Sequence, residues 1–116
     1  MKSGSSSFYV PDRGDIVKLS FSPQLGHEQS GYRPALILSS ASYNRRSSLA
    51  LMCPITNQSK GYPFEVPLGE DMETTGIVLS DQIKSFDWRA RQAKFIEKAP
   101  SDLVEEVLAK VAALLN

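Results

Sequence analysis

Gly26-His-Glu-Gln-Ser-Gly-Tyr-Arg-Pro-Ala-Leu-Ile-Leu38 is the stretch from which the fold can be read outward. A polar loop bounded by Gly26 and Gly31 runs straight into an apolar strand. Proline restricts the residue before it to extended backbone, so a loop free to wander ends at a fixed guanidinium, Arg33. Glu28 stands five residues earlier. A rigid arginine beside a carboxylate, on a loop carried by a sheet, suits a phosphate. The remaining chain then reads as the frame for that site.

Upstream, residues 15–22 alternate, with Val17, Leu19 and Phe21 on one side and Ile16, Lys18 and Ser20 on the other. That period of two predicts a strand, entered by the turn-forming Pro11-Asp12-Arg13-Gly14. The loop at 23–32 is longer than most connections, a length associated with function. Further strands are expected at 35–39, 49–55, 64–68, 76–79, near 81–86 and at 93–96. A helical turn or loop is expected at 40–48, and Pro67 suits an edge strand. Pro100-Ser101-Asp102 opens the one clear helix, with Ser101 or Asp102 as cap. Val104, Val107, Leu108, Val111, Leu114 and Leu115 form its apolar face, and Glu106 and Lys110 an i,i+4 pair. Short strands at close spacing and a terminal helix predict a mainly β (α+β) fold, a small, bent antiparallel barrel partly covered by that helix. Residues 1–8 are expected as a flexible tail and 9–116 as a single domain.

The totals narrow the chemistry. The chain has 116 residues, 41% hydrophobic and 22% charged, which suits one soluble domain with a real core. It has no apolar run of bilayer length and no leader-like N-terminus, so cytoplasmic residence without membrane contact is expected. Its single cysteine, Cys53, allows no intrachain disulfide and reads as a small buried hydrophobe. The formal net charge is zero, yet residues 1–60 carry +4 and residues 61–116 carry −4. A basic face is compatible with that split, and so is an ordinary mixed surface.

His27 is the only histidine, so two-histidine acid–base pairs and multi-histidine metal sites drop out within one chain. Neither phosphate-loop nor dinucleotide glycine motifs occur, and no metal or cofactor is expected. Glu28, Arg33 and the loop beginning at Thr56 remain. Arginine offers a planar fork for phosphate, Thr56 a hydroxyl, Lys60 a charge, and Asn57 and Gln58 the paired groups that read base edges. Phe21, Tyr32 and Tyr62 are suited to stacking on bases. Each also has a purely structural role open to it: an ion pair for Arg33, core or rim packing for the aromatics, a plain turn for residues 57–61. Spacing alone therefore stops at a small β-rich domain with an anionic-ligand loop.

The chain resembles the MazF/PemK family of toxin endoribonucleases. The resemblance rests on residues 9–15 (Tyr-Val-Pro-Asp-Arg-Gly-Asp), on Glu28-Gln-Ser-Gly-Tyr-Arg-Pro-Ala-Leu-Ile-Leu38 and on Pro54-Ile-Thr-Asn-Gln-Ser-Lys-Gly-Tyr-Pro-Phe-Glu65. Leu79-Ser-Asp-Gln-Ile-Lys84 and Trp88-Arg-Ala-Arg91 complete it. It implies an SH3-like antiparallel barrel of the plasmid-maintenance toxin type, acting as a homodimer. It also implies metal-independent cleavage of single-stranded RNA at a short base motif, and an antitoxin partner with an acidic tail. It assigns catalysis to Arg33 and Thr56, with Glu28 as supporting carboxylate or base. Phe21, Asn57, Gln58, Lys60 and Gln82 are the candidate RNA-binding residues. The chain departs from the family's pattern at Tyr32, before the arginine, and at Asn57, after the threonine. Two other classes share the frame: a toxin that binds DNA gyrase without cleaving nucleic acid, and a peptide-binding SH3-like module. The ending Ala-Leu-Leu-Asn lacks the Trp-bearing end of the gyrase-directed type.

Overall fold

The alternation after Gly14 produces β1 (Asp15–Ser20), an interior strand of an antiparallel sheet. The computed structural model describes residues 8–20 and 32–116. In it β1 is followed by β2 (Tyr32–Ile37), α1 (Ala41–Ser47), β3 (Leu49–Thr56), β4 (Glu65–Pro67) and β5 (Ile77–Leu79). A 3-10 turn (Ser80–Gln82), β6 (Lys84–Asp87), β7 (Lys94–Lys98) and α2 (Ser101–Leu114) complete the order. Among the described residues seven strands run β4-β5-β3-β2-β1-β7, with β6 also paired to β3. Every pairing is antiparallel, so the mainly β architecture with a C-terminal helix is the expected one. Pro67 lies on β4, an edge strand, as its missing N–H requires.

The sheet is apolar on both faces. On one, Ile16, Leu36, Cys53, Ile55 and Val78 meet Leu103, Val104 and Val107 of α2. On the other, Val17, Leu19, Ala35, Ile37, Ala50 and Met52 meet Trp88. Strict one-sided alternation in β1 therefore breaks at Ile16, which is as buried as Val17. Burial pushes the Cys53 thiol up to about 12, so it is the inert hydrophobe expected. No helix among the described residues is long and apolar enough to cross a membrane.

Residues 40–48 resolve into α1. The Ser40 hydroxyl accepts from Tyr43 N, and Ser48 closes the helix with φ 66°. Asn44 is its buried anchor: Nδ2 donates to the carbonyls of Pro11 and Ser39, and its own carbonyl accepts from Trp88 Nε1. Around α2, three expectations are corrected. Pro100 is the N-cap, without a side-chain hydrogen bond, and Asp102 Oδ1 accepts only from its neighbour Leu103 N. Lys110 Nζ donates to the Pro63 carbonyl at 3.0 Å and forms no ion pair with Glu106 among the described residues. Leu114 and Leu115 are 42% and 83% exposed, because the helix outruns the sheet it covers.

Candidate active site

β3 is the longest strand, and its far edge is shared by two partners. Leu49–Met52 pair with β6 and Ile55–Thr56 with β5. Between the two partner strands the chain carries three more residues than β3 has to match, and the 3-10 turn Ser80–Gln82 takes up the excess. That turn swings Gln82 out beside Thr56.

On the near edge, β2 pairs Ala35 with Pro54. Arg33 and Thr56 lie two positions beyond that pair on their respective strands, and a period of two returns both side chains to the same face. Both line one cleft of about 310 Å³ with Pro54, Leu79, Gln82, Lys84 and Phe86. The cleft lies on the Trp88 side of the sheet, opposite α2. A second cleft of about 220 Å³ shares Thr56, Leu79 and Gln82 with the first and adds Gln58, Lys60, Tyr62, Glu65 and Asp81. The two form a continuous trough centred on Thr56 and Gln82.

Local hydrogen bonds set the donors in the trough. Thr56 Oγ1 accepts from Gln58 N at 3.2 Å, a short turn that occupies a lone pair and leaves the hydroxyl proton to donate outward. Gly76 backs Thr56: its φ is +119°, and a Cβ there would collide with the Thr56 carbonyl. The Lys60 loop is wrapped around one carboxylate. Glu65 accepts from Lys60 N at 2.9 Å, Ser59 Oγ at 2.9 Å and Gly61 N at 3.1 Å. These bonds, the Lys60 amide foremost, hold the Glu65 carboxyl below its usual range.

Five of the eight candidate residues come together: Arg33, Thr56, Gln58, Lys60 and Gln82. Asn57 stands apart, its Oδ1 accepting from Thr75 Oγ1 at 3.1 Å. Glu28 and Phe21 lie outside the described residues, as does His27. Tyr62 lines the second cleft, whereas Tyr32 points to the opposite face from Arg33 and donates to Gln92 Oε1 at 2.8 Å. Sequence reasoning missed Lys84 and Phe86. Their signal lay in the alternation of β6, but only the register of Met52 with Lys84 brings them to the cleft.

Residues 12–115 match the family described as PemK-like, MazF-like toxin of type II toxin-antitoxin system. The chain belongs to this family. It is 47% identical over 111 residues to the endoribonuclease toxin MazF of Escherichia coli strain K12, covering 95% of this chain and 98% of that protein. A crystal structure of MazF from Deinococcus radiodurans superposes with a TM-score of 0.84 at 50% identity, covering 93% of this chain and 98% of that one. A MazE–MazF crystal structure from the same organism gives a TM-score of 0.85 at 44% identity, covering 94% and 98%. The MazF/PemK resemblance and the fold that came with it are thereby borne out.

Proposed function

We propose that the chain is a sequence-specific, metal-independent endoribonuclease toxin that cuts single-stranded RNA, mRNA in particular, at a short base motif. It would act as a homodimer and inhibit translation and growth until an antitoxin with an acidic tail neutralises it. The observation that carries this reading is the meeting of Arg33 and Thr56 on one face of one cleft. The endoribonuclease names of its relatives support it, and the MazE–MazF complex supports the antitoxin.

RNA supplies its own nucleophile. The 2′-OH attacks the adjacent phosphorus while the bond to the 5′-oxygen breaks, leaving a 2′,3′-cyclic phosphate and a 5′-hydroxyl. Arg33 clamps the non-bridging oxygens with its fork and assists departure of the 5′-oxygen, which takes a proton from the guanidinium or from water to become the hydroxyl. Thr56 donates to the same phosphate. Glu28 accepts the 2′ proton, a role it holds on the resemblance alone. Gln58, Lys60 and Gln82 line the trough along which flanking nucleotides lie, and Phe21 and Asn57 keep their place as RNA contacts on side-chain chemistry alone.

The test is to incubate the purified protein with a long unstructured RNA in EDTA and to map the cuts and their end chemistry. Discrete cuts with cyclic-phosphate ends are expected. RNA left intact, with DNA gyrase trapped on DNA instead, would assign the chain to the non-cleaving toxin class.

A further inference from the structure

We propose that the groove beside Trp88 is a second contact surface for single-stranded RNA, continuing the strand's path away from the Arg33 cleft; this rests on the endoribonuclease reading above. The groove measures about 430 Å³ and is lined by Phe8, Trp88, Arg89, Gln92, Lys94 and Phe95 among others. Phe8 and Phe95 are 84% and 51% exposed, an unusual expenditure of aromatic surface on solvent.

Two cations, Arg89 and Lys94, border it. Lys94 on β7 pairs directly across the strands with Lys18 on β1, both on the face opposite Phe95, and it reaches the groove at the β7 edge of the sheet. Among the described residues the ion pair within 4 Å is Lys98 with Asp15, and neither Lys18, Lys94 nor Arg89 has one. Lys94 Nζ stands 5.9 Å from the Tyr32 ring centroid. Arg89 Cζ stands 5.0 Å from the Trp88 ring centroid. The nearby Asp87 carboxylate accepts from Ala90 N and Ser48 Oγ through Oδ1 and attracts Arg89 without an ion pair within 4 Å. A guanidinium held over an indole by cation–π attraction retains N–H groups that can donate to phosphate.

The groove is also continuous with the cleft. Phe86 lines the cleft and carries Arg91 over its ring at 4.7 Å. Trp88 follows two residues later, in the turn that ends β6. Phe86, Trp88 and Tyr9 all belong to or pack against the same core cluster, so cleft and groove open on one side of the sheet. Two arginines held over two aromatics thus lead from the Arg33 cleft to a rim of exposed rings, Phe8 and Phe95. Alternating π-faces and cations are what single strands bind.

Once the cut site is mapped, two RNAs blocked by a 2′-deoxy at that position separate the outcomes. One just spans the cleft, and the other extends it by several nucleotides on each side. The wild-type protein should bind the longer RNA more tightly. The R89E/K94E double variant should lose about tenfold of that affinity, the scale of one stacked base. Its salt slope should be shallower by about 1.4, as two lost phosphate contacts imply for a single strand. Phe95→Ala, which leaves charge unchanged, should lose affinity for the longer RNA with its thermal midpoint preserved. Equal affinity and salt slope in wild type and double variant, with cleavage normal, would overturn the proposal and leave the nuclease reading standing. So would loss of binding to an acidic peptide alone, with RNA affinity intact. Absence of any cleavage would remove the nuclease reading and this proposal with it.

Discussion

Arg33 and Thr56 act on the same phosphate in the proposed reaction, so their loss falls on the chemical step. Preorganised donors at developing charge contribute about 3–4 kcal/mol each, and Arg33→Ala should lower kcat on the order of a hundredfold to a thousandfold. Arg33→Lys keeps the charge but not the planar fork and should recover only a minor part, as single-turnover cleavage would show. Wild-type turnover by Arg33→Ala would end the assignment. Gly76 serves Thr56 from behind. Gly76→Ala places a Cβ against the Thr56 carbonyl at φ +119°, strain of about 1–3 kcal/mol before the clash is counted. Urea unfolding should show at least that loss, and cleavage should fall because Thr56 must shift.

At the scale of elements, the turn carrying residues 69–75 is held against β7 by one side chain. Glu97 accepts from Glu73 N at 3.1 Å and from Thr74 N and Oγ1 at 2.6 Å each. Burial works to raise its pKa, but the Thr74 and Glu73 hydrogen bonds outweigh it and the carboxyl titrates below its usual value. A carboxylate whose folded pKa is depressed adds stability above its unfolded pKa, near 4.3, and loses it as pH falls through the lower folded value. Glu65 obeys the same sign in the Lys60 loop. Stability should therefore decline below about pH 4.3, and Glu97→Gln should flatten the part of that decline due to the turn. At neutral pH Glu97→Gln should cost about 1 kcal/mol, discounted for its partial exposure. Urea midpoints across the pH range check both.

For the whole molecule, the two-sided sheet divides labour: α2 seals one face, and the other face carries the trough. Leu51 on β3 and Leu115 past the end of α2 remain 39% and 83% exposed, apolar surface that a second copy would cover. Sedimentation at micromolar concentration should give twice the 12.8 kDa chain mass. A stable monomer there would contradict the homodimer.

The succession of strands along the chain, the edge position of Pro67, the buried Cys53 and the terminal helix were all legible in the chain, because period, proline and glycine act on local backbone. So was the approach of Arg33 to Thr56, which line one cleft, through two short motifs. Local signals also misled at α2, where good capping residues went unused and Leu114 and Leu115 found no core. Tertiary structure alone decided which other residues share that cleft. Lys84 and Phe86 join Arg33 through β-sheet register, and Tyr32 leaves it because neighbours on a strand face opposite ways. Residues 26–31 belong to neither account, lying outside the described structure. The opening stretch thus determined an extended backbone at Arg33, the second residue of β2. Strand pairing, a long-range constraint no local pattern encodes, decided what that guanidinium meets.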